Sequence, residues 1–455
     1  MDSPATRASG QGNGLDAMIA PRCILILHTT LYREGGAEFD LAAREMEREK
    51  CAEFPGLVVI RKAIESKKAF AAEINAVAEQ SLQIAELHFI GHSGMYGIMF
   101  GTTSWPEQFS PFEWKNMKIP FAVDGKAYFH SCRSGRWFAR FFATVFRVKA
   151  YGYFWYTTVS SLKDRFAWRR SKDAGKPAFI ISVPGRKSHG LAGSLKKFFF
   201  RPRSFPMLEF DPPSETIDTT YDAVAPLYDE TFEDISVRAD ELSWLRRALS
   251  DLRNPALLDI GCGTGSFVRA IEDLVEKAQG VDLSAGMVAH AQKRSAANGK
   301  LSFAKIDGPQ LPFADNSFDV VTSVLSFRYL DWDPIMAEIL RVMKPGGRLF
   351  IIDMVAAPVK WRHWPRLLTD KIRQYRMLKE HPRYREALRK MVSDPRWKKM
   401  LEYNPIRAEH EMKWYLESRF PGGKLEVINY GWNSRVLAFA SPPLHEKKVA
   451  ELSFP

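Results

Sequence analysis

Short apolar runs and longer stretches with helical periodicity alternate along the first 185 residues. The runs are CILILH (23–28), GLVVIR (56–61), LHFIG (87–91), AYFHS (127–131), VKAYGY (148–153) and AFIISV (178–183). Between several of them lie segments such as FDLAAREMEREKCAEF and AAEINAVAEQSLQIAE, whose apolar residues recur every three or four positions. Alternating β and α segments predict a mostly parallel sheet with helices on both faces. Past residue 250 the alternation resumes. LLDIGCGTG (257–265) reads as a buried strand ending in Asp259, followed by a tight turn through Gly261, Gly263 and Gly265 and then a helix. The fold class expected is therefore α/β, with two doubly wound parallel sheets in one chain.

The glycine turn carries chemistry. Glycine is needed where backbone must pass close to a ligand, because a Cβ would collide with it. Seventeen residues on, the apolar strand AQGVDL ends in Asp282, whose carboxylate is placed to accept hydrogen bonds from a ribose diol. The spacing is G-x-G-x-G with Ser266 next, not the G-x-G-x-x-G/A of dinucleotide sites. Two further blocks follow in order, KIDGPQLPFADNSFDVV (305–321) and RVMKPGGRLFIIDM (341–354).

These three blocks resemble the class I S-adenosylmethionine-dependent methyltransferases, of the type 11, quinone-biosynthesis-like kind. The resemblance implies a Rossmann-like C-terminal domain over 214–441 with a helical insertion and S-adenosyl-L-methionine as cofactor. It implies Asp259, Gly261, Gly263 and Gly265 beneath the methionine and ribose, Asp282 on the ribose hydroxyls and Leu283 against the adenine. Asp307 and the N–H of Gly308 are implied at the adenine edge. TTYDAVAPLYDE (219–230) resembles the family's N-terminal lid, with Tyr221 and Tyr228 over the cofactor. SVLSFRYLDW (323–332) lies where the family faces the methyl group, which makes Arg328, Tyr329 and Asp331 candidates there. The plain LSFRYL favours a small-molecule or lipid-like acceptor over DNA adenine, and no clear nucleic-acid motif is present. Family members commonly build the acceptor pocket from chain inserted after the fifth strand. Here 360–415 interleaves cations with Trp361, Trp364, Tyr375, Tyr384, Trp397, Tyr403, Trp414 and Tyr415, which suits an anionic or aromatic acceptor or else a solvated helical face.

In the N-terminal half (21–185) two strand ends carry reactive side chains, His92 in IGHSGMYG and Cys132 in FHSCRSG. Chemistry in open parallel sheets gathers at the carboxyl ends of strands, so the two should be neighbours. The order and context resemble the caspase-like fold, whose His and Cys form an activated thiolate pair. Ser93 stands before Gly94 where the family has Gly directly after His, and no specificity pocket is legible. The alternative function is thus a cysteine peptidase using His92 and Cys132, with the other half sensing cofactor. A G-x-S-x-G hydrolase elbow fails at Met95.

Composition adds bounds. The net charge of +12 is uneven: residues 186–205 hold six cations and no anion. That stretch sits in a Gly-, Ser- and Pro-containing segment, 186–213, which reads as a basic linker between separable domains. Its KKFFFRPR could meet an anionic membrane peripherally, or be a solvated connector with its phenylalanines packed on a neighbouring domain. Residues 1–20 read as a leader without an apolar core and 442–455 as a tail. Four scattered cysteines exclude a disulfide framework or metal knuckle, and no apolar run approaches eighteen residues, so a reducing cytoplasm is expected.

Overall fold

The computed structural model describes residues 21–94, 96–169, 176–184, 191–214, 221–297, 299–404 and 406–444. The leader expected at 1–20 lies outside them, as does Met95.

The N-terminal unit is built on a six-stranded sheet. Its strands are β1 (Arg22–Thr29), β2 (Val58–Ile64), β3 (Gln83–Ile90), β4 (Phe121–His130), β5 (Lys149–Gly152) and, later in the chain, β8 (Leu208–Phe210). The order across the sheet is β8-β5-β4-β3-β1-β2, parallel except for the antiparallel edge strand β8. β1 and β3 are buried along nearly their whole length, which is why they read as continuous apolar runs and not as an alternation. Helix α1 (Gly36–Glu53) covers one face through Ala42 and Ala43 against Ile24 and Ile26. Helices α2 (Lys67–Glu79) and α3 (Phe138–Phe146) cover the other, where Phe70, Ile74, Phe138 and Phe142 pack with Trp114. Ser66 caps α2 by accepting from the Ala69 N–H at 3.0 Å.

Two expectations for this half change. The run at 178–183 does not enter the main sheet. As β7 (Phe179–Val183) it pairs antiparallel with β6 (Tyr156–Ser160) in a separate hairpin, packed over α1 through Val159 and Ile180. The sixth sheet strand comes instead from the segment read as a linker. Its described part, from Leu191 on, is structured: helix α4 (Leu191–Phe200) precedes β8. The phenylalanines of α4 are exposed and not packed on a neighbouring domain.

The C-terminal unit has seven strands: β9 (Ala256–Ile260), β10 (Lys277–Asp282), β11 (Leu301–Lys305), β12 (Phe318–Val324), β13 (Met343–Ala356), β14 (Lys424–Tyr430) and β15 (Ser434–Ala440). They run in the order β11-β10-β9-β12-β13-β15-β14, the last two pairings antiparallel. Helices α5 (Ala225–Thr231), α6 (Ala239–Leu249), α7 (Ala285–Ser295) and α8 (Trp332–Val342) flank it. The insertion after β13 forms α9 (Trp364–Glu380), α10 (Pro382–Ser393), α11 (Pro395–Tyr403) and α12 (Glu409–Arg419). A proline opens each of the first three, where its missing N–H costs nothing. The chain stays in this core past 441: Leu444 is buried, and its backbone bonds Gly346 and Gly347.

The two units are docked. Lys67 at the start of α2 reaches Asp333 of α8 at 2.5 Å and Glu113 at 2.8 Å. Arg419 of α12 is 1% exposed, stacks on Trp105 at 3.9 Å and meets Asp333 at 3.3 Å. Arg407 lies over Trp332 and donates to Gln108.

Candidate functional site

β9 and β12 are central neighbours, and the turns leaving their carboxyl ends converge. Gly261, Gly263 and Gly265 all have positive φ (73°, 54° and 73°), but for different reasons. A Cβ on Gly261 would strike the Ser326 side chain at 2.4 Å, and one on Gly265 the Phe303 ring at 2.7 Å. At Gly263 the nearest atom would be Tyr228 Cε1 at 3.8 Å. The first and third glycines are required by packing; the middle one faces room beneath an aromatic ring.

Two carboxylates floor that room. Asp282, at the end of β10, accepts the N–H groups of Gly263 and Ser284, each at 2.9 Å. Burial raises its pKa although those amides oppose the shift. Asp259 is buried and accepts the Thr322 hydroxyl at 2.7 Å; burial pushes it up to about 7, with Asp282 adding to the effect. Neither has a cationic partner among the described residues. Such a floor stands ready for a positively charged ligand.

The lid is held from both ends. Asp222 accepts Ser284 Oγ–H at 2.6 Å and the Gly286 N–H at 2.9 Å, tying the lid to the start of α7. Asp229 takes His290 and a bidentate Arg294. Tyr221 and Tyr228 thereby face each other edge to face, 6.3 Å apart, and both meet Trp397 of α11. Tyr329 closes the cage 5.7 Å from Tyr221. Behind it, Arg328 is paired with the fully buried Asp353 of β13 and lies over the Tyr329 ring. The turn that brings them there is tight: Leu325 adopts φ 58°, and Ser326 donates to the Ile260 carbonyl at 2.8 Å.

Other expected residues lie elsewhere or play other parts. Leu283 is exposed at the rim, as an adenine platform would need to be. Asp307 turns to solvent and pairs with Lys305, because two residues on one side of an exposed strand end meet most easily with each other; Gly308 beside it is half-buried. Asp331 does not face the site. It lies against Ser110 and Glu113 of the N-terminal unit, where burial raises its pKa to about 7. The aromatics of the insertion are divided. Trp361, Trp364 and Tyr375 are exposed, Trp414 and Tyr415 line the seam between the units, and Tyr384 and Trp397 pack under the lid. Thr322, Asp353 and Asp222 had no sequence signal of their own.

In the N-terminal unit, Ser93 Oγ donates to the Cys132 carbonyl, so the β3 and β4 ends lie side by side. The Cys132 thiol sits 3.2 Å from Thr157 Oγ1 and accepts the Thr157 N–H at 3.3 Å. His92 Nε2 bonds the Glu34 carbonyl at 2.9 Å. Helix α12 covers this loop: a Cβ on Gly94 would collide with the Glu411 carboxylate, and Arg33 stacks on Trp414.

Residues 258–351 match the family described as "Methyltransferase domain". This segment is an S-adenosylmethionine-dependent methyltransferase domain. The chain is 35% identical over 150 residues to a demethylmenaquinone methyltransferase of Bacteroides fragilis, covering 31% of this chain and 61% of that protein. It is 33% identical over 143 residues to the ubiquinone/menaquinone biosynthesis C-methyltransferase UbiE of Desulfotalea psychrophila, covering 30% and 57%. The chain thus spans about three fifths of the length of the curated relatives it matches. A solved SAM dependent methyltransferase from Aquifex aeolicus is 17% identical, with 49% of this chain and 98% of that one covered and a TM-score of 0.33. The cofactor of the methyltransferase domain is S-adenosylmethionine, and the site fits its charge. Its sulfonium and ammonium are both cations, and the buried Asp259 and half-buried Asp282 have no counter-ion among the described residues. Among the described residues no group of three His, Cys, Asp or Glu is arranged for a metal ion, and no helix is long and apolar enough to cross a membrane.

Proposed function

We propose that the chain transfers a methyl group from S-adenosylmethionine to a small, lipid-like acceptor with a flat, electron-rich ring, of the quinone type named in its relatives. The observation that carries this reading is the cage over Gly263: Tyr221, Tyr228, Tyr329 and Trp397, with Arg328 at its wall. The cofactor supplies an electrophilic methyl group. Asp259, Gly263 and Asp282 hold it from below, and Leu283 backs its adenine. The aromatic rings orient a flat acceptor and exclude water, so that both reactants share one near-attack geometry. The Arg328 guanidinium, kept cationic by Asp353, would hold a ring oxygen of the acceptor as its anion and so raise the electron density of the ring. Next to the cage, Leu227, Phe232, Val237 and Met391 pack into an apolar cluster with Met377 and Leu388, along whose surface an alkyl tail would run. The test is incubation with methyl-labelled cofactor and reduced demethylquinones of graded tail length. Label in the ring carbon, with KM falling as the tail lengthens, supports the reading; no transfer to any of them rejects it.

For the N-terminal unit we propose a caspase-like fold acting as a scaffold. The strand order with an antiparallel sixth strand supports the fold, and the neighbouring ends of β3 and β4 support its His92 and Cys132 positions. Two contacts favour a scaffold over a peptidase: Thr157 engages the thiol, and α12 sits on the loop that a peptide would have to enter.

A further inference from the structure

Helix α4 is amphipathic the wrong way round. A helix docked on a protein normally buries its apolar stripe and leaves lysines in water. Here Lys197 is 6% exposed, with its ammonium 5.0 Å from the centre of the Phe166 ring, 5.9 Å from that of Trp168 and 3.5 Å from Thr158 Oγ1. Phe198, Phe199 and Phe200 are 62%, 69% and 76% exposed, and Leu195, one turn earlier, is also exposed. Burial lowers the Lys197 pKa, so this orientation takes the ammonium out of water while leaving three phenylalanine rings in it. The element is nonetheless fixed in place. Phe166 donates its N–H to the Pro202 carbonyl at 2.8 Å, Ser204 to Asp164 at 2.7 Å and Phe205 to Ser182 at 2.9 Å.

What surrounds the phenylalanines indicates what covers them. Trp168, Leu162 and Phe205 extend the apolar patch. Arg201, Arg203, Lys163 and Arg165 are exposed around it; Arg165 bonds Asp164, Lys163 bonds Glu49, and residues 186–205 contain no acidic residue. We propose that this face docks on an anionic lipid bilayer, with Phe198, Phe199 and Phe200 entering the headgroup boundary while Arg201 and Arg203 meet lipid phosphates. Rings flanked by cations match that surface, whose apolar interior lies below a layer of negative charge. A second copy of this chain matches it poorly, since it would bring Arg201 and Arg203 against their own like charges. The proposal is independent of the methyl-transfer reading, because α4 belongs to the other unit.

The test is flotation of the full chain with phosphatidylcholine vesicles and with vesicles in which about a third of the lipid is phosphatidylglycerol. Recruitment is expected to the anionic vesicles only, and to weaken as salt screens the charges. Arg201→Gln with Arg203→Gln should lower partitioning about thirty-fold at low salt, near tenfold per two-thirds of the lost attraction of two cations. Phe198→Ser, Phe199→Ser and Phe200→Ser together should abolish recruitment. Both variants should keep the parent's circular dichroism spectrum and denaturation midpoint, which reports that the unit carrying α4 is folded. No recruitment of the parent to anionic vesicles overturns the proposal, as does equal flotation of parent and variants. So does a parent dimer in lipid-free buffer that the serine variant dissociates, which would mean that a second copy covers the face.

Discussion

Lys67 and Asp333 lie 266 positions apart in sequence and form an ion pair of 2.5 Å across the seam between the two units. Burial works against the Lys67 charge, but Asp333 and Glu113 outweigh it and hold the ammonium above its ordinary pKa. Both side chains are mostly buried, so losing one partner leaves charge without solvent. Lys67→Met is expected to destabilise the chain by about 3 kcal/mol. Denaturation midpoints within error of the parent would mean that the seam contributes nothing to stability.

Gly261 and Gly263 should respond unequally to added carbon. Gly261→Ala places its Cβ on Ser326 and should cost about 3 kcal/mol or more, since both a clash and a left-handed backbone oppose it. Gly263→Ala meets no protein atom closer than 3.8 Å and should cost only about 1 kcal/mol. Gly263→Val should nonetheless remove cofactor binding in calorimetric titration. Retained affinity in that variant would put the cofactor elsewhere.

Asp259 links stability to pH. Its folded-state pKa of about 7 lies above the ordinary 3.8, so the folded chain binds a proton more tightly than the unfolded chain. This group therefore costs nothing below pH 4, and its cost grows between about pH 4 and 7 and is constant above. Asp259→Asn should match the parent near pH 4 and exceed it by up to about 4 kcal/mol at pH 8 in the absence of cofactor. The same variant should bind the cationic cofactor more weakly. Equal stability differences at both pH values would show that the buried charge carries no such cost.

Trp397 touches both lid tyrosines from the inserted helices. Trp397→Ala should raise the acceptor KM about tenfold or more through lost stacking, with cofactor affinity changed little. A loss confined to cofactor affinity would place the acceptor on another wall.

Cys132 engages Thr157, whereas Cys51 is exposed on α1. Iodoacetamide near neutral pH should label Cys51 first, and Glu411→Ala should speed labelling of Cys132 by loosening α12 from the loop. Faster labelling of Cys132 than Cys51 in the parent, slowed by His92→Ala, would favour the peptidase reading.

The strands and the glycine turn were legible because their causes are local. A buried parallel strand must be apolar throughout, and the left-handed backbone at Gly261, Gly263 and Gly265 favours glycine at each. Asp259 and Asp282 could be named for the same reason, each closing such a strand. Local pattern could not say which apolar runs pair: 178–183 and 208–210 are both short and extended, yet the second takes the β5 edge and the first pairs with β6. Nor could it orient side chains on helices that have two neighbours. Trp397 turned to the lid, Tyr375 to water, and Tyr415 to the seam, although all three occur in one cationic, aromatic stretch. Asp331 sits three residues from Arg328 yet faces the other unit, because α8 begins there and the helix carries the chain away from the site. Which face of α4 turns outward was likewise settled by tertiary contact, the pull of Phe166 and Trp168 on one ammonium. Burial and charge pairing between residues hundreds of positions apart depend on the docked surfaces, and no local rule contains them.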